Sequence, residues 1–138
     1  MRVFIAGVMQ GSRIDDKVSD QRYRETVARI LRENLGDVDI IDPWALHPNS
    51  ESYSLERARE TFFSMNALAA QADAVVAYLP EASMGTAVEM WQAYSGGVKV
   101  YCISPMTQNW VVKLLSSRIF PTLEAFESFA RNGGLAPA

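Results

Sequence analysis

The chain alternates short apolar runs with longer segments whose apolar residues recur every three or four positions, the pattern of strands regularly followed by helices. The runs fall at residues 2–8, 38–41, 74–79, 98–104 and 118–121. Between them, Val27, Ile30, Leu31 and Leu35 mark a helix that stops at Gly36. A second helix over 55–72 has its charges early and Phe62, Phe63, Met65, Leu68 and Ala69 late, which predicts that its last turns come down onto the sheet. A third, over 84–95, carries Met84, Ala87, Val88, Trp91 and Tyr94 on one face and ends at Gly96-Gly97. Thr107 caps a fourth, with Trp110, Val111, Leu114 and Leu115 facing inward, and Thr122 caps the last, over 123–131.

The run 74–79 has β-branched and aromatic members and is bounded by Asp73 and Pro80, which suits a strand covered on both faces. Strand and helix alternating five times predict an α/β fold. Its form is three-layered: a five-stranded parallel sheet, flavodoxin- or Rossmann-like in order 2-1-3-4-5, with helices on both faces. Residues 1–132 read as a single domain, and Gly133-Gly134 opens a flexible tail over 133–138. Residues 45–54, with Pro48, Asn49 and His47, show no period and read as a long loop over the sheet edge, able to act as a lid.

Composition narrows the function classes. At 138 residues, 49% apolar and 21% charged, the chain fits one globular domain with a real core. No apolar run reaches the ~18 residues of a membrane span and no basic-then-apolar leader precedes the first strand, so a soluble, cytoplasmic protein is expected. The net charge of −3 offers no footprint for polymeric nucleic acid. The one cysteine, Cys102, lies in an apolar run and reads as a buried thiol; with His47 the only histidine, neither a metal nor a cofactor is expected.

The candidate chemistry gathers where the strand 74–79 feeds the third helix. Ser83 suits an N-cap, and Gly85, Glu89 and Gln92 fall on the face opposite the apolar stripe, so a carboxylate stands one turn below a residue without a side chain. In open parallel sheets ligands sit at the carboxyl ends of the strands, where Ser83, Gly85 and Thr86 would lie. The same positions also suit a solvated helix glutamate and a loop glycine. After the first strand, Gly7 permits close approach, and Met9-Gln10-Gly11-Ser12-Arg13 sets a glycine, a hydroxyl and a guanidinium in sequence. That loop suits a phosphate or a ribose hydroxyl, and equally a plain surface turn.

Taken together these residues resemble the nucleoside 2-deoxyribosyltransferase superfamily, including its deoxynucleoside 5′-monophosphate N-glycosidase branch. The resemblance rests on the Gly7 strand end with its Gly-Ser-Arg loop and on the Ala-Asp-Ala-Val-Val-Ala strand. It rests further on Ser83-x-Gly85-Thr86-x-x-Glu89 and on the Gly-Gly-Val-Lys-Val-Tyr lead into the next strand. It covers roughly residues 2–117, and its most specific part is the Ser and Glu six positions apart. It implies that Glu89 is a nucleophile attacking the anomeric carbon of a sugar, with Ser83 binding sugar or phosphate and Gly11, Ser12 and Arg13 holding a 5′-phosphate. It also implies that Asn109 or Lys113 reaches a neighbouring subunit's site, and hence a homodimer or larger homo-oligomer with a small nucleoside or nucleotide as ligand.

One position departs from the family pattern. Eight residues before Asp73, where the family carries an aspartate for the leaving base, stands Met65; the adjacent Asn66 can hydrogen-bond a base edge but cannot deliver a proton. Two other readings therefore stand beside glycosidic cleavage. One is a nucleotide-binding or sensing domain without catalysis. The other is a cytokinin-type phosphoribohydrolase, which shares the Gly-Thr-x-x-Glu element but precedes it with a Pro-Gly-Gly run absent here. Asp73 itself reads as a strand-initiating structural residue.

Overall fold

The structure, a computed structural model, describes residues 1–11, 13–15 and 17–137. Strands β1 (Arg2–Gly7), β2 (Asp39–Ile41), β3 (Ala74–Tyr78), β4 (Lys99–Ile103) and β5 (Arg118–Phe120) form one parallel sheet in the order β2-β1-β3-β4-β5. This is the topology expected from the alternation of runs. In the β1–β3 register Ile5 pairs with Val76 and Gly7 with Tyr78, so the two strands end level and their outgoing loops rise side by side. Asp73 starts β3 as a structural residue: its Oδ2 accepts from the Arg2 backbone N–H at 2.7 Å.

Alternation along β1 fills both layers. Val3 and Ile5 pack with Val27, Ile30 and Leu31 of α1 (Arg22–Leu35) and Phe126 of α6 (Leu123–Arg131). Phe4 and Ala6 pack on the other face, against Ala69 of α3 (Leu55–Gln71), Met90 and Ala93 of α4 (Met84–Ser95) and Val112 of α5 (Trp110–Leu115). Cys102 of β4 lies wholly inside this second layer, where burial pushes its thiol up to about 11. Among the described residues no helix is long and apolar enough to cross a membrane.

Several expectations are corrected. On α4 the buried residues are Thr86, Met90 and Ala93, while Met84, Val88, Trp91 and Tyr94 are exposed. Small side chains decide this. Ala69, Ala93 and Gly96 let α3 and α4 lie close together, to the point that a Cβ on Gly96 would meet the Ala70 carbonyl oxygen at 2.7 Å. The larger apolar residues are thereby left outside. On α3 likewise, Asn66 and Ala69 are buried and Phe62 and Phe63 exposed.

The helix expected from Thr107 begins only at Trp110. Asn109 Oδ1 caps it, accepting from the N–H groups of Val111 and Val112 at 3.0 and 3.4 Å. With six residues it turns one side chain, Val112, fully onto the sheet, so Trp110 and Leu114 stay exposed. The expected loop 45–54 is partly ordered. Asp42 caps a short helix, α2 (Pro43–Leu46), through the Trp44 N–H, and a 3₁₀ turn follows at Ser50–Ser52.

The segment after Gly133 is not a frayed tail through its whole length. Leu135 is buried against the layer that holds Phe126 and Ala130. Leu135→Ala is therefore expected to lower unfolding stability by about 2–4 kcal/mol, as truncation of a buried leucine does. Urea denaturation followed by circular dichroism measures it; a midpoint equal to wild type would show that this leucine contributes no packing.

Candidate active site

A cavity of about 420 Å³ opens where the loops after β1 and β3 rise together, and Glu89 lies in its wall. That volume falls within the range of small-molecule sites, about 300–1,000 Å³. Gly7, Met9, Gln10 and Gly11 line it from the first loop, and Ser83, Met84, Gly85 and Thr86 from the start of α4. Thr61, Phe62, Met65 and Asn66 of α3 close it on a third side. A wider hollow of about 590 Å³ lies along the segment from α2 to the start of α3, between Leu46, Pro48, Asn49, Tyr53 and Arg57. Among the described residues it has no carboxylate in its lining, and only Tyr53 is common to both.

Local chemistry explains why Glu89 stands where it does. Ser83 is the N-cap of α4: its Oγ accepts from the Thr86 N–H at 3.3 Å and shares a 2.9 Å hydrogen bond with the Thr86 hydroxyl. The cap fixes the first turn at the carboxyl end of β3, and Glu89 follows on the turn below. Gly85, one turn above Glu89, has open space where a Cβ would stand, so the helix leaves the carboxyl uncovered toward the cavity. Gln92 continues that face but is exposed and does not line the cavity.

The carboxyl is surrounded by protein on most sides, and this desolvation pushes the pKa of Glu89 up to about 8. The positive charge of Arg24 acts in the opposite sense and lowers it. Part of the Glu89 side chain still faces the cavity, so a bound molecule can reach it.

Arg24 is buried beneath the first loop. Its guanidinium donates to Gln21 Oε1 at 2.7 Å, Asp42 Oδ1 at 3.0 Å, and the carbonyls of Gly7 and Ile5 at 3.2 and 3.3 Å. Beside it, Tyr23 stacks on Tyr78 with centroids 4.3 Å apart, and its hydroxyl donates to the Val8 carbonyl at 3.1 Å. Burial first, and then the charges of Asp42 and Glu89, hold the Tyr23 phenol above its ordinary pKa, so it remains a donor. A Cβ on Gly7 would overlap the Tyr23 ring, which explains the glycine at the end of β1.

The wall opposite is built by the segment between α2 and α3. His47 Nδ1 and the Tyr53 hydroxyl are hydrogen-bonded at 2.8 Å, and the Arg57 guanidinium covers the Tyr53 ring at 3.9 Å. Asn66 is buried; its Nδ2 donates to the Phe62 carbonyl at 2.8 Å, which leaves its Oδ1 as an acceptor without a partner among the described residues. Met65 lines the cavity where the resemblance would place an acid.

Of the residues singled out from the sequence, Gly7, Gln10, Gly11, Asn66, Ser83, Gly85 and Glu89 come together at this cavity. Ser12 lies outside the described residues. Arg13 does not line it: its guanidinium forms a two-pronged pair with the Asp15 carboxylate at 2.8 and 2.9 Å on the exposed side of the loop. Asn109 and Lys113 lie outside the lining as well; the first uses its oxygen to cap α5, and the second reaches Gln108 at 3.4 Å.

Tyr23, Arg24, His47 and Tyr53 were not foreseen at the site. Arg24 carried a signal, since it sits three residues before Val27 and four before Ala28, on the apolar face of its helix. His47 and Tyr53 lie in an aperiodic stretch with none.

No family model matches the sequence, and no curated protein matches it. Among solved structures, a 2-deoxyribosyltransferase from Bacillus psychrosaccharolyticus is similar at a TM-score of 0.70 and 17% identity, over 92% of this chain and 90% of that one. A conserved protein from Enterococcus faecalis V583 gives 0.64 and 16%, over 96% and 98%. The CMP N-glycosidase of Clostridium botulinum gives 0.55 and 17%, over 93% and 96%. At these identities the likeness lies in the backbone: over nearly its whole length the chain has the fold on which a deoxyribosyltransferase and a nucleotide N-glycosidase are built.

Proposed function

We propose that this protein cleaves the N-glycosidic bond of a nucleoside or nucleoside 5′-monophosphate, with Glu89 as the nucleophile. The observation that carries the reading is a carboxyl, the only one among the described lining residues, in a nucleoside-sized cavity at the carboxyl end of the central strand, in a fold shared with two enzymes of that chemistry. As the bond from C1′ to the base nitrogen breaks, positive charge develops on the sugar. A Glu89 oxygen then bonds C1′ while the base departs with the electron pair and takes a proton from water. Water, or the nitrogen of a second base, next displaces Glu89 and restores the carboxylate.

Desolvation serves this chemistry in one respect and opposes it in another. A carboxylate stripped of water stabilises an adjacent cationic sugar more strongly than a solvated one, but the same burial keeps Glu89 protonated at neutral pH. Arg24 limits that protonation. Ser83 and Thr86 present hydroxyls at the sugar's end of the cavity, and Asn66 offers an acceptor to an N–H of the base. Met65 supports the second reading, a nucleotide-binding domain without turnover, because no acid stands there to protonate the leaving base.

A homo-oligomer belongs to the same proposal. Met84, Val88 and Trp91 of α4 and Trp110 and Leu114 of α5 are exposed on neighbouring helices, an apolar surface of the kind that subunit contacts cover. The Trp91→Lys variant is expected to shift the assembly toward monomer in light scattering; an unchanged mass would place the contact elsewhere.

Purified protein incubated with a panel of nucleosides and monophosphates is expected to release free base, seen by chromatography. Glu89→Gln should keep the fold and slow release by about three orders of magnitude or more, as loss of a covalent nucleophile does. Release at the wild-type rate in that variant rules out the nucleophile. Thermal stabilisation by the same ligands with no base released identifies the binding domain instead.

The raised pKa sets the pH dependence. Only the ionised carboxylate attacks, so kcat/KM is expected to climb about tenfold per pH unit below pH 8 and to level off above it. A flat profile between pH 6 and 9 would contradict a role for this group in its charged form.

A further inference from the structure

Against one lining residue of the cavity, though not itself in the lining, stands an acid that no sequence pattern marked. Glu81, in the turn between β3 and α4, lays its carboxylate over Gly11 of the first loop, so closely that a Cβ on Gly11 would overlap Glu81 Oε1. Gly11 itself lines the cavity and has a φ of +59°, in the left-handed region where a side chain is strained. Two features of the loop therefore favour glycine there, and one of them is the neighbouring carboxylate.

Charge around this rim is one-sided. Among the described residues lining the cavity there is no lysine or arginine. The cation nearest in sequence, Arg13, is held by Asp15 on the exposed side, and Arg24 lies beneath the loop with its donors given to Asp42, Gln21 and two carbonyls. Glu81 makes no ion pair among the described residues, so its charge is not offset locally. A group arriving between the two loops meets the hydroxyls of Ser83 and Thr86, with the Glu81 carboxylate beside Gly11 at the edge of the lining.

We propose that Glu81 is a specificity-determining residue, whose carboxylate beside Gly11 makes the site select a neutral sugar hydroxymethyl group over a phosphomonoester. This rests on the glycosidic reading above and narrows its substrate to the unphosphorylated nucleoside. A hydroxymethyl group can donate a hydrogen bond to the carboxylate, whereas a phosphate carrying nearly two negative charges is repelled by it. For a carboxylate and a dianion roughly 6 Å apart in a water-like dielectric, the discrimination is on the order of tenfold.

The test compares the four deoxynucleosides with their 5′-monophosphates, in wild type, Glu81→Gln and Glu81→Lys. The ratio of kcat/KM, nucleoside over monophosphate, is expected to be about ten or more in wild type, to fall about tenfold in Glu81→Gln, and to fall further in Glu81→Lys. The wild-type ratio should also shrink as salt rises toward 1 M, since Glu81 is exposed. A wild-type preference for the monophosphate, or a ratio that Glu81→Gln leaves unchanged, overturns the proposal. Calorimetric Kd values for the same ligand pairs separate it from the catalytic reading. If no base is released but the Kd ratio follows the same order, the catalytic reading fails and the charge selection stands; if neither ligand of any pair binds, both fall.

Discussion

A guanidinium shut away from water holds this site together. Arg24 joins the end of β1, through the Ile5 and Gly7 carbonyls, to the cap of α2, through Asp42, and so extends the β1–β2 pairing past the last paired residues, Phe4 and Ile41. A buried charge is tolerated when it is paired and well hydrogen-bonded, as Arg24 is through Gln21, Asp42 and two carbonyls, and removing one partner of such a pair typically costs about 3–5 kcal/mol. The loop carrying Met9, Gln10 and Gly11 and the segment carrying His47 and Tyr53 thus depart from a common anchor. The two sides of the cavity owe their spacing to it.

The same residue enters the electrostatics of the acid. Burial alone drives Glu89 toward its neutral form; Arg24 acts against this without lining the cavity itself, because its hydrogen bonds go to two backbone carbonyls, Gln21 and Asp42. A cation inside the cavity would pair with the carboxylate and blunt its attraction for positive charge on a sugar. Placing it behind the strand end lets the field act while the carboxyl stays open to a ligand. Tyr23 and Tyr78, stacked beside the guanidinium, add bulk that keeps water from this layer.

Much of the framework could be read from residue order, because strand and helix periods differ and the helices from α2 to α6 each start on a capping side chain, though α1 does not. The five strands, their order, and the Ser83 cap that delivers Glu89 all follow from local pattern. What failed was the assignment of faces. On α4 and α5 the stripe that periodicity selects is the outward one, since close helix packing favours Ala93 and Gly96 over Trp91, and α5 is too short to bury more than Val112. Arg13 shows a different limit: an arginine in a glycine loop suits a phosphate until a nearer aspartate, Asp15, takes both of its prongs. Leu135 escaped notice because a lone leucine after two glycines has no periodicity to reveal that it packs.

The single cysteine has a use outside the cavity. Cys102 sits in the middle of β4, inside the sheet's second layer, with its ionisation pushed far above neutrality. An alkylating reagent reaches that sulfur only when the strands part, and no other thiol competes for it. The rate at which the folded protein takes up such a label therefore counts openings of the whole sheet, and a ligand bound between the first and third loops would be seen to slow the clock.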